Sequence, residues 1–446
     1  MKKQFTKIFR GFAVAMLFMC VAATAHAKIN GISGPVFDLM VMDGYISTGD
    51  TGSHYIWGFA EGAGMVQYPG PTLIVNQGDI ITVNLVNMLP PAANGAAAPN
   101  VSILFPGQQV TASGGVAGLL TQEAPPDGAT VVTYQFTATN AGTYLYHSGT
   151  RPEIEVDMGL VGALIVRPAG FNPALPTAYG GASSAYAEDR EYLFLLTEID
   201  PRIHDTVRRQ GIAALQNTNL LSTYFPYYWF INGRNAPDTM LPPMVAWLPT
   251  QPYNSMPMAH PGDRVLLRVI GGGRELHPFH HHGNHSRIIA KDGRLLGVGA
   301  EFSHEVFTIQ SVPGETVDAI WQWTGEGLGW DAYGTDADHM AAGCNDGDAN
   351  NFDDVTFEYC PDHGKVFPVI LPEKGDSTFG GFWPGTPFLG KSALLPPLQG
   401  GLNPDAGYVY MWHSHTEKEL TNWDIFPGGL MTMMMVLPPW VPIMEM

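Results

Sequence analysis

Along this chain apolar and polar residues alternate far more often than they recur at helical spacing. Thr82-Val83-Asn84-Leu85-Val86 is one such stretch, and a period of two marks a strand with one face in a core. Tyr408-Val409-Tyr410-Met411 reads the same way, and Met431-Thr432-Met433-Met434-Met435 reads as a final core strand with Met431, Met433 and Met435 on one face. The 52 glycines and 36 prolines among 446 residues supply frequent turns. Short strands between turns, with little helical periodicity, predict an all-β chain of Greek-key β-sandwiches.

The pattern occurs twice. Val75-Asn76-Gln77-Gly78-Asp79 parallels Ala259-His260-Pro261-Gly262-Asp263, and the strand ending in His147-Ser148 parallels the one ending in His413-Ser414. From Gly78 to Gly262 is 184 residues, whereas from His147 to His413 is 266, so the second copy carries about 82 extra residues. Residues 330–405, rich in Gly, Asp and Pro, fit that insertion and enter just before the His413 strand. The expected order is a leader at 1–27, a first domain at 28–170, a Gly/Ala/Ser/Pro linker at 171–189 and a second domain at 190–446.

Candidate chemistry sits in two histidine clusters. His277-Pro278-Phe279-His280-His281-His282-Gly283-Asn284-His285 holds five of the chain's 15 histidines. On a strand, His280 and His282 face one way and His277 and His281 the other. Trp412-His413-Ser414-His415 repeats the i, i+2 pairing. Neutral imidazole is the commonest protein ligand for copper, zinc and iron, so paired imidazoles on one face point to a metal site.

The residues around these clusters resemble the multicopper oxidase family. Tyr68-Pro69-Gly70-Pro71-Thr72-Leu73 with Gly78-Asp79 is similar to its first-domain opening, Gly142-Thr143-Tyr144-Leu145-Tyr146-His147-Ser148 to its second copper motif, and Phe230-Ile231-Asn232-Gly233-Arg234 to its strand-entry signature. His277-Pro278-Phe279-His280-His281-His282-Gly283 resembles the third motif, and Trp412-His413-Ser414-His415 stands where the fourth belongs. The resemblance implies two cupredoxin-like domains and copper as cofactor.

Departures from the family pattern bear on function. The cysteine that holds blue copper in the family is Ser414 here, and a hydroxyl is a poor copper ligand beside a soft thiolate. The family's second blue-copper histidine falls on Glu419, which leaves His277 as the sole matched ligand of that type. Leu104-Phe105-Pro106-Gly107 replaces the first motif's two histidines, and Gly149 replaces the second motif's later one. By the family pattern His147 and His415 would share one position, His282 and His413 another, and His280 a third. Five imidazoles suit one or two copper ions rather than three. The expectation is a reduced, histidine-only copper site without blue copper. A mononuclear or dinuclear copper oxidoreductase, and a structural or interaction protein on a degenerate oxidase scaffold, stand as alternatives.

Lys2, Lys3, Lys7 and Arg10, an apolar run from Phe12 to Ala23 and Ala25-His26-Ala27 read as a signal peptide, which predicts a periplasmic or extracellular protein. No stretch approaches the roughly 20 apolar residues of a membrane helix. Cleavage leaves 18 basic against 41 acidic residues, a net charge of −23. Such a surface disfavours nucleic acid and suits cationic partners, a basic redox protein among them. Cys344 and Cys360, the two cysteines beyond the leader, are expected to form a disulfide. Between them Asp346–Asp354 faintly resembles a calcium loop but lacks glycine at its sixth position and an acid at its twelfth, so a solvated acidic loop is the simpler reading. Two-domain members of the family form trimers with metal between subunits, so the resemblance implies a homo-oligomer, with His147 meeting second-domain histidines across domains or subunits. Thioethers suit Cu(I), but the methionines at 431–435 read more simply as core.

Overall fold

A computed structural model describes residues 29–297, 303–324, 347, 353, 355, 408–437 and 441–443. The leader, Cys344, Cys360 and nearly all of residues 330–405 lie outside the described residues. The architecture is almost entirely β, in two sandwiches. In the first, a sheet of Ile32–Ser33, Leu73–Asn76, Val161–Arg167 and Gly142–His147 shares a core with a sheet of Ser53–Glu61, Val36–Ser47, Ile80–Asn87, Val131–Thr137 and Thr111–Gly114. In the second, a sheet containing Tyr228–Ile231, Glu191–Ile199, Arg264–Gly271, Thr316–Gln322 and Ser286–Lys291 packs on Met258–Ala259, Met431–Val436, Tyr408–Ser414, His277–His281 and Thr308–Ser311.

The repeated sequence becomes repeated structure. Asp79 and Asp263 each accept a hydrogen bond from the backbone three residues earlier, Asn76 N at 3.2 Å and His260 N at 2.9 Å. Gly78 and Gly262 hold left-handed φ values of 94° and 81°, which a side chain would strain. Leu73–Asn76 then pairs parallel with Val161–Arg167, and Met258–Ala259 parallel with Met431–Val436.

Two strands are buried on both faces, and this joins the domains. Every residue of Val161–Arg167 is buried: Leu164 and Val166 enter the first core, while Val161, Ala163 and Ile165 face the other way. Glu191–Ile199 is buried but for the half-buried Tyr192, with Phe194 and Leu196 in the second core and Leu193 and Leu195 turned toward the first domain. Such unbroken apolar runs are the mark of a strand covered on both sides.

The helix Pro201–Gln210 was not anticipated from the periodicity. Asp200 caps it, with its side chain accepting from Arg202 N, Pro201 opens it, and Gly211 at φ 82° closes it. It departs from a second-domain strand, yet Ile203, Val207, Ile212 and Leu215 pack into the first core. The segment 171–189 is also packed, with Phe171, Ala178, Tyr179 and Tyr186 against Leu266, Ile289 and Ile320. On the last strand, Met434 and Val436 enter the core with Thr432 buried on the same face, so the inward face is the opposite of the one expected; Met431 packs separately with Ala236 and Leu420.

A buried charge network fastens the domain junction. Arg268 reaches Glu191 and Asp318, Glu191 also receives Arg167, and Thr143 and Tyr179 donate to Asp318. Burial alone pushes Glu191 up, but Arg167 and Arg268 outweigh it and hold the carboxyl at about 2. Removing one partner of such a network strands the others in a medium that solvates charge poorly. Arg268→Ala is therefore expected to cost about 3–5 kcal/mol of unfolding free energy by chemical denaturation, and a cost below about 1 kcal/mol would contradict this account.

Candidate metal centre

Strand alternation sorts the histidines. His277, Phe279 and His281 are buried, while His280 points to the opposite, half-open face. Register then delivers the second cluster: Phe279 pairs with Ser414, His280 with His413 and His281 with Trp412. Directly opposed residues on paired strands hold their Cβ atoms about 4.5–5.5 Å apart, so His280 and His413 meet without any loop having to close. The outcome is a group in which His280, His282 and His413 each offer a ligand atom, all within 4.8 Å of one another. His415 borders it, its ring centroid 4.8 Å from that of His280 and 5.6 Å from that of His413.

The surroundings keep these imidazoles neutral. Burial, with His413 and His415 close by, pushes His280 down to about 4, and burial with His280 and His413 does the same to His282. Burial also lowers His413. His413 Nδ1 lies 2.6 Å from the carbonyl of Ser414, which can only accept, so this nitrogen carries the proton and Nε2 keeps its lone pair. His280 Nδ1 meets the Thr308 hydroxyl at 2.9 Å, and His282 Nδ1 is buried with no hydrogen-bond partner. Three neutral nitrogen donors this close together suit copper or zinc.

His147, in the first domain, copies His413. Its Nδ1 lies 2.8 Å from the carbonyl of Ser148, and burial lowers its pKa. It is not part of the three-histidine group. Its surroundings explain the missing ligands: Leu104 bridges to His147, and a Cβ on Gly149 would stand 2.5 Å from Leu104 Cγ. The leucine at one lost histidine position thus fills the room that a side chain at the other would need.

His277 stands apart from the cluster. It is fully buried, with Nδ1 2.9 Å from Glu419 Oε2 and Nε2 2.9 Å from Glu198 Oε2. Burial opposes the charged form, but the two carboxylates outweigh it and raise His277 to about 10. An imidazolium with both nitrogens engaged has no lone pair to offer a metal. Ser414 is buried beside it and accepts from Thr416 N at 3.2 Å. His281 is structural: its Nε2 lies 3.1 Å from the Val306 carbonyl, its ring packs on Trp412, and burial pushes it down to about 3. Glu198 was not singled out from sequence, because a partner 79 positions from His277 on another sheet leaves no local pattern.

Comparison with known proteins adds to this geometry. Residues 52–170 match the family model described as multicopper oxidase. Multicopper oxidase MCE of Talaromyces pinophilus is 41% identical over 105 residues, covering 23% of this chain and 15% of that protein. Laccase-1 of Emericella nidulans is 34% identical over 140 residues, covering 30% of this chain and 21% of the relative. The chain thus spans less than a quarter of the length of either. The solved structure of multicopper oxidase mgLAC superposes with a TM-score of 0.52 at 18% identity, covering 92% of this chain and 87% of that one, and so shares its fold.

The Leu104–Gly149 pairing is testable. Gly149→His should overpack the site and cost about 1–3 kcal/mol in thermal or chemical unfolding, and adding Leu104→Ala should recover most of that loss. Equal stability of Gly149→His and the parent would show that the leucine does not fill this space.

Proposed function

We propose that this chain, whose residues 52–170 match the multicopper oxidase family model, is an exported copper-binding protein whose metal is held by histidines alone, without blue copper. The observation that carries this reading is the convergence of three neutral imidazoles, His280, His282 and His413, with His415 alongside. Such a set would hold one or two copper ions, and copper bound there would supply a redox-active centre with positions free for water or a small ligand. The chain's own part is to keep each imidazole deprotonated at one nitrogen and aimed at the others. Ser414 and the occupied His277 stand against a blue site, since position 414 offers a hydroxyl and the one matched imidazole is engaged by Glu198 and Glu419.

His147 is read as a further ligand supplied by a first domain. It has the same backbone lock as His413 yet stands outside the group, which favours a homo-oligomer, a trimer by family resemblance, in which a neighbouring copy completes the site. The half-open position of His280 and the exposure of His415 favour access by a small ligand, so copper oxidoreductase activity at one or two ions is the second reading. Among the described residues no helix is long and apolar enough to cross a membrane.

Copper titration tests the reading. The parent chain should bind copper stoichiometrically and show no intense blue band, and His280→Ala with His413→Ala should abolish that binding while leaving the β-rich circular dichroism in place. Full binding by the double variant would remove these histidines as the site.

The pH dependence follows from the shifts. Free imidazole near 6.5 would lose copper between about pH 7 and 5. With His280 and His282 lowered to about 4, their neutral form persists through pH 6, and protons compete effectively only as pH approaches 4. Affinity measured from pH 7 to 4 should therefore stay high at pH 6 and collapse near the lower end. A midpoint above pH 6 would show that the rings are not shielded as described.

A further inference from the structure

All four clustered imidazoles ride on the ends of two strands. His280 and His282 belong to the His277 segment, and His413 and His415 to the end of Tyr408–Ser414. Three register pairs and the Pro278 carbonyl, which accepts from His415 N at 2.9 Å, join these ends by backbone. Ligand sites work only when side chains are held to within about 0.5 Å, which asks for further bracing.

We propose that Glu198, His277 and Glu419 are positioning residues for the histidine cluster, and that Tyr224 and Asp157 carry their hold into the first domain. This rests on the reading of that cluster as a metal site. His277 lies on the first ligand strand, Glu419 lies in the turn Glu417–Leu420 that follows the second, and Glu198 lies on Glu191–Ile199 in the opposite sheet. The imidazole ring is thus a rigid strut between three segments, 2.9 Å from a carboxylate at each nitrogen. Glu198 Oε1 also accepts from the backbone of Arg274 at 2.6 Å and Glu275 at 2.9 Å, which fixes the approach to His277.

The chain of groups continues past the triad. Glu198 Oε1 is 3.4 Å from Tyr224 Oη, and Tyr224 donates to Asp157 Oδ1 at 2.8 Å. The other oxygen of Asp157 is 3.4 Å from His204 Nε2, and Arg274 lies 4.0 Å over the Tyr224 ring. Three buried carboxylates, Asp157, Glu198 and Glu419, lie against His204, His277 and Arg274, with the half-buried Glu275 at their edge, so protonated histidines supply the counter-charge the carboxylates need. His204 fits this state: burial lowers it, but Asp157 outweighs burial and raises it. A buried set of paired charges loses its geometry when one member is deleted, because the partner left behind is then uncompensated.

The test uses the full-length chain with Glu419→Ala and, as a mild cut in the middle of the assembly, Tyr224→Phe. Two readouts are taken: histidine side-chain NMR of the metal-free protein, and Cu(II) titration with electron paramagnetic resonance. The proposal expects both variants to shift the ring resonances of His280, His282 and His413. Glu419→Ala should also change the copper spectrum and weaken binding by about 10- to 100-fold, and Glu419→Asp should restore part of it. If the rings stay in place in folded Tyr224→Phe and the copper spectrum is unchanged in Glu419→Ala, the triad is a stability element alone and the proposal is overturned. If the parent binds no copper, the metal reading fails, while the ring shifts still decide whether the triad positions the cluster.

Discussion

The two-residue alternation of a single paired strand, His277–His281, organises everything around the candidate site. It sends Phe279 and His281 into the second core against Trp412 and Trp321, where a shift of one residue would put His280 into the apolar core and turn Phe279 out. The core therefore fixes the register, and the register brings His280 beside His413. The metal-binding face is a consequence of packing on the opposite face, so the site's geometry is as stable as the sandwich that carries it.

The buried position around His277 is occupied by charge. His277 bridges Glu198 and Glu419, with Ser414 buried nearby. A metal cation and an imidazolium compete for the same carboxylates, and the imidazolium needs no ion from solution. In the first domain the parallel serine, Ser148, donates to Glu155, which burial raises to about 8. Burial thus favours the neutral carboxyl at Glu155, whereas in the second domain His277 lies between two carboxylates.

How much could be read from the residues alone depended on the range of each interaction. The strands, the doubling of Gly78-Asp79 in Gly262-Asp263, and the shared face of His280 and His282 all follow from spacings of a few residues, and the structure has them. The helix Pro201–Gln210 is also written locally, in Asp200-Pro201 and Gly211, but the β periodicity on either side masks these caps. The Glu198–His277–Glu419 triad and the fit of Leu104 against Gly149 were not legible, since each joins residues on separate strands through a contact with no periodic trace. The inward face of Met431–Val436 was misjudged because methionine lies on both faces, which leaves composition unable to choose the register.

The most direct measurement is anomalous X-ray scattering at the copper edge from crystals of the copper-loaded chain. The account predicts a peak about 2 Å from ring nitrogens of His280, His282 and His413, with no peak between His277 and Ser414. A copper peak beside His277, or one confined to the acidic stretch 346–354, would contradict it.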